Sequence, residues 1–153
     1  MRQVNGDVID SKGSNLLLVN PRLVSLSSID TSHVSEALMF EDESWKIPML
    51  FFPHEAKKLY VLTPSAIDRS KYSLPSFDRF TWAAKGVFDG AVLCVSDPTL
   101  GLSERLNLGW CLGRSDSDVS SLLAKFISAL AIYLKIDFEN IVIWGSSAGG
   151  GAA

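Results

Sequence analysis

The sequence predicts an α/β domain: an incomplete three-layer sandwich on a mostly parallel sheet, preceded by a β-rich lead-in. Three observations carry that expectation. Leu59–Leu62, Ala91–Val95 and Ile141–Trp144 are short apolar runs without polar alternation, the pattern of strands covered on both faces. Val119–Leu134 places apolar residues at helical spacing between the last two runs. The resulting order of strand, loop, strand, helix, strand suits crossover units of a layered α/β fold.

The elements follow along the chain. Leu16–Val19 is an apolar run closed by Asn20-Pro21, which reads as a strand and turn. Leu23–Ile29 alternates with period two and reads as a half-exposed strand. Residues 31–45 are polar and acidic, as in a connection. Ile47–Phe52 contains Pro48, which points to an edge strand. These pieces make residues 1–56 the β-rich N-terminal segment, and residues 57–153 the α/β part. Beyond Leu62 an irregular stretch runs to Asp89, with a short helical turn near Phe80–Ala84. Leu122, Leu123, Phe126, Ile127, Leu130 and Leu134 form the helix stripe; Ser117 or Asp116 can cap it, and Asp118 suits its positive end. Asp137–Asn140 makes the final turn before Ile141–Trp144.

Composition narrows the function classes. With 153 residues, 47% of them hydrophobic and 20% charged, the chain suits one folded domain. The net charge of -3 and the scattered basic residues argue against nucleic acid or an anionic membrane as partner. No uninterrupted run approaches the roughly 18 apolar residues of a membrane span. Residues 1–13 lack the apolar core of a secretion signal. Cys94 and Cys111 have no metal-binding or redox spacing and read as buried free thiols, which favours a reducing, cytoplasmic setting. No metal or cofactor is expected, and the oligomeric state is left open.

The chemistry-bearing motif is Gly145-Ser146-Ser147-Ala148-Gly149, directly after the strand Ile141–Trp144. A chain that passes from strand to helix within a few residues brings the positions two before and two after the central residue close together. Side chains there collide, so small residues are required. With Ser147 central, those positions are Gly145 and Gly149; with Ser146 central, they are Trp144 and Ala148. The glycine register therefore selects Ser147. A glycine-rich turn without chemistry, or one holding phosphate, is the competing reading, but no Gly-Lys-Ser/Thr follows as in a phosphate loop.

On this motif and its element order, residues 58–153 resemble the α/β-hydrolase superfamily of serine hydrolases, and the expected sandwich is then the N-terminal half of such a domain. The resemblance implies Ser147 as nucleophile and the Ala148 N–H as one oxyanion donor. It implies a second donor from the loop after Leu62, at Ser65 or Ala66, although Thr63-Pro64-Ser65-Ala66 stands where a His-Gly-Gly run is usual. Leu74–Trp82 and Ser96–Leu100 resemble uncharacterised bacterial hydrolase-like proteins, some linked to surface glycans.

Asp97, at a strand's C-terminal end, reads as a turn residue or a substrate-facing one. Asp68, Arg69, Asp78 and Arg79 read as loop charges able to meet a polar or acidic substrate, and Trp82 and Trp110 as packing residues or a pocket mouth. His33 and His54 both precede Ser147, whereas the resemblance implies an acid and then a histidine after it. The expectation is thus a truncated hydrolase that is nearly inactive as it stands. Its full-length form would act on an ester, thioester or amide of a small acyl substrate. The alternative is a non-catalytic binding or assembly module in which the elbow is only a scaffold.

Overall fold

A computed structural model describes residues 3–4, 7–8, 22–24, 36–42, 44–55 and 57–153. In chain order these hold β1 (Gln3–Val4) and β2 (Asp7–Val8), an antiparallel pair, then β3 (Arg22–Val24), β4 (Glu36–Glu41), β5 (Lys46–Phe52) and β6 (Leu59–Leu62). There follow α1 (Phe80–Ala84), β7 (Ala91–Val95), the small antiparallel pair β8 (Gly113–Arg114) and β9 (Ser117–Asp118), α2 (Val119–Leu134), β10 (Ile141–Trp144) and α3 (Ala148–Ala152). The strand expected over Leu16–Val19 lies outside the described residues, as does the connection over 31–35.

Six strands form one sheet in the order β10-β6-β7-β5-β4-β3. This corrects the expectation of a mostly parallel sandwich. The sheet is mixed: β10, β6 and β7 run parallel, β5 is antiparallel to both β7 and β4, and β3 is parallel to β4. Of the seven strand pairings among the described residues, four are antiparallel. The pieces expected as a separate lead-in, β3 to β5, belong to this same sheet. Glu36–Glu41, read as part of a connection, is a strand lying between two others.

The difference lies in β5. β5 is buried on both faces from Met49 to Phe52, so its composition matches that of a parallel strand while its direction is opposite. Pro48 does not force it to an edge. It stands at the third position of β5, just before pairing with β7 begins at Met49↔Val95, and its carbonyl still accepts the Ser96 N–H at 3.0 Å.

The helices cover the two faces separately. Val119, Leu123, Phe126, Ile127 and Leu130 of α2 are buried against Phe40, Ile47, Met49, Val61, Leu93 and Val95. Phe126 meets Phe40 with ring centroids 4.7 Å apart. Each such apolar side chain contributes about 1.5–3 kcal/mol on burial. The N-cap of α2 is Asp118, one residue beyond the expected caps, accepting the Ser120 N–H at 2.9 Å. Lys135, left-handed at φ 57°, closes the helix. On the opposite face, Phe80, Ala83 and Ala84 of α1 pack with Phe77 and Phe88 on Leu50, Leu62, Val92 and Cys94.

Candidate active site

The β6–β7 and β7–β10 crossovers travel in opposite directions along the sheet and lie on opposite faces, so they share one hand. β6 therefore feeds α1 on one face. Its neighbour β10 feeds α3 toward the other, where Ala152 packs beside the α2 core. Adjacent strands whose exits diverge in this way leave a crevice at their C-terminal ends, the usual ligand position in open α/β sheets.

The Gly145–Gly149 turn occupies that position. β10 pairs with β6 from Ile141↔Leu59 to Trp144↔Leu62. Ser147 then stands as the N-cap of α3 with φ 55° and ψ -122°, a sparsely populated conformation for a residue with a side chain. It costs on the order of 1–3 kcal/mol and persists only where the surroundings enforce it.

The enforcing contacts are identifiable. A Cβ on Gly145 would overlap the Gly149 carbonyl and Thr63 Oγ1, and one on Gly149 would lie 2.9 Å from the carbonyl oxygens of both Thr63 and Pro64. Thr63 Oγ1 donates to the buried Gly149 carbonyl at 2.8 Å, and the Thr63 N–H donates to the Trp144 carbonyl at 3.1 Å. The end of β6 thus ties both sides of the turn together.

The two serines occupy different environments. Ser147 is exposed, whereas Ser146 is half-buried and its hydroxyl accepts a short hydrogen bond from Arg79 Nη2. Ala148 opens α3, so its N–H has no intrahelical carbonyl to meet. In the loop after β6, the Ser65 N–H is engaged by Asp78 Oδ2 at 2.9 Å, while Ala66 is exposed. Of the two positions expected to supply a second donor, Ala66 is the one whose N–H no carboxylate occupies in that bond.

Arg79 is the residue that sequence reasoning undervalued. Its left-handed backbone, φ 55° and ψ 13°, turns the loop into α1. Its guanidinium lies 5.7 Å from the Trp82 ring centroid and 5.6 Å from that of Trp144, with Asp78 at 3.7 Å. The bond to Ser146 spans 67 residues, and no local pattern announces it.

The chain matches no family model, no curated protein and no solved structure.

The remaining candidates separate clearly. Asp97 is 4% exposed; Oδ1 accepts the Thr99 N–H at 2.9 Å and Oδ2 the Cys111 N–H at 3.1 Å. Its carboxylate anchors the turn after β7, and a Cβ on Gly109 would come within 2.6 Å of it. His54 is exposed between the end of β5 and the start of β6, at the sheet edge opposite Ser147; His33 lies outside the described residues. Asp68 bonds Ser70 and Lys71, and Arg69 donates to the Leu100 carbonyl at 3.2 Å. Trp110 stands at φ 52°, about two-fifths exposed, against the space beside Gly151. Burial pushes both the Cys94 and Cys111 thiols well above their usual range. Farther along the same edge, a pocket of about 440 Å³ lies between Trp45, Pro48, Leu74, Pro98 and Leu102. Among the described residues no helix is long and apolar enough to cross a membrane.

Proposed function

We propose that this chain carries the nucleophile of a serine hydrolase and that the nucleophile is Ser147. One observation carries the reading. An exposed serine is held in a strained backbone conformation at a strand-to-helix turn, with the residues two before and two after it packed too tightly for any side chain. Such strain clusters where a side chain must be presented in one orientation. It is consistent with the nucleophile elbow of the α/β-hydrolase family.

In this reading Ser147 Oγ attacks the carbonyl carbon of an ester, thioester or amide and gives its proton to a histidine base, which an acid orients. The carbonyl π electrons move to oxygen, and the Ala148 N–H with a loop N–H near Ala66 stabilises the charge. Collapse expels the leaving group, which takes the proton back from the base. Water then releases the acyl group from Ser147. Among the described residues His54 is too remote to be that base, so the reading requires a histidine outside them.

A second reading, a binding or assembly module built on the same turn, draws support from the Ser65 N–H, which Asp78 already occupies. A fluorophosphonate probe on the full-length protein separates the two. The hydrolase reading expects covalent labelling that Ser147→Ala abolishes. A folded full-length protein that stays unlabelled favours the binding module.

A further inference from the structure

We propose that Arg79 makes this site selective for substrates carrying a carboxylate near the scissile carbonyl, an inference that rests on Ser147 being the nucleophile. The guanidinium bonds the hydroxyl of Ser146, one residue from Ser147, so its positive charge sits on the nucleophile's edge of the sheet. Its side chain remains 22% exposed and is therefore reachable from that edge. The Trp82 and Trp144 rings, themselves about two-fifths exposed, flank it and hold its orientation.

Among the described residues its counter-charge is incomplete. Asp78 approaches Nη1 at 3.7 Å through Oδ2, the same oxygen that accepts the Ser65 N–H, so the pair is neither close nor two-pronged. A guanidinium presents five N–H donors in a planar fork that matches a carboxylate with two parallel bonds. An incoming carboxylate supplies the near, planar partner that Asp78 does not. Simple clamping of α1 to the turn is the structural alternative, and it makes no distinction between charged and neutral substrates.

The test compares carboxylate esters with their neutral amide counterparts on the full-length protein. 3-Acetoxybenzoate is paired with 3-acetoxybenzamide, placing the charge on the alcohol side. The p-nitrophenyl monoesters of adipic and adipamic acid place it on the acyl side. Charge-assisted hydrogen bonds of this type correspond to about tenfold or more in kcat/KM. The wild type is expected to prefer the carboxylate by that factor in at least one pair. Arg79→Gln should bring the ratio toward unity, and Arg79→Lys should leave an intermediate ratio. No preference in either pair, or a preference that survives Arg79→Gln, overturns the inference. The wild-type ratio and Arg79→Lys decide the matter if Arg79→Gln does not fold. Fluorophosphonate labelling run in parallel keeps the failures distinct: a labelled protein without charge preference rejects only the role of Arg79, whereas an unlabelled protein rejects the nucleophile and this inference with it.

Discussion

Adding one methyl group at Gly145 and the same group at Gly150 should move stability in opposite directions. At Gly145 the new Cβ overlaps the carbonyl of Gly149 and the hydroxyl oxygen of Thr63. Two of those three atoms are backbone, so no flexible side chain can retire from the clash. Relief requires opening the turn, which strains packing by about 1–3 kcal/mol. Moving Gly149 also endangers its buried bond from Thr63, worth about 0.5–1.5 kcal/mol. Gly145→Ala is therefore expected to destabilise by about 2–4 kcal/mol. At Gly150 the nearest atom to the new Cβ is the Gly145 carbonyl oxygen at 3.8 Å, an ordinary contact, and the residue is helical. Gly150→Ala should then stabilise by about 0.5–1 kcal/mol through helix preference. Urea unfolding of both variants beside the wild type measures the difference. A Gly145→Ala protein within about 0.5 kcal/mol of wild type, inside the range of a neutral surface change, or equal losses at both positions, would refute the proposed tightness of the turn.

Three further outcomes follow from the same geometry. Asp97→Asn replaces an acceptor of two backbone N–H groups by an amide that can accept at one oxygen only, and should destabilise by about 1–3 kcal/mol. A variant as stable as wild type would contradict the anchoring role of the Asp97 carboxylate. Cys94 and Cys111 are buried with raised thiol pKa values, so neither should react with a disulfide reagent until the protein is unfolded in guanidinium. A full equivalent of fast thiol in the native protein contradicts that placement. The Asp118 carboxylate, held by the Ser121 hydroxyl and then by Ser120, titrates at about 2 instead of its ordinary 3.8. Because its folded pKa is lowered, the stabilisation it gives α2 is present above the ordinary value and is lost as pH falls toward 2. Carbon-detected NMR of the carboxyl group reads the midpoint, and a midpoint near the ordinary value rejects the capping bonds.

Several elements were legible because their signals are local. The helix Val119–Leu134 and the strands Leu59–Leu62, Ala91–Val95 and Ile141–Trp144 carry apolar patterns that need no partner to be read, and each appears with those bounds. Strand direction is not local. Lys46–Phe52 has the composition of a strand covered on both faces, and that composition is the same whether its neighbours run parallel or antiparallel. Coverage is not local either: the apolar run of β10 suggests burial on both faces, yet Val142, Ile143 and Trp144 are about two-fifths exposed at the sheet edge. At the site, glycine spacing alone distinguished Ser147 from Ser146, because the crowding acts between residues four apart. The pairing of Arg79 with Ser146 depends on how the loop after β6 folds back over β10, and nothing near either residue encodes it.

The central claim concerns one hydroxyl group. After fluorophosphonate treatment of the full-length protein, tandem mass spectrometry of the peptide that carries both serines should place the adduct on Ser147 and leave Ser146 unmodified. An adduct on Ser146, or a folded full-length protein that takes up no probe, would contradict the assignment of Ser147 as nucleophile.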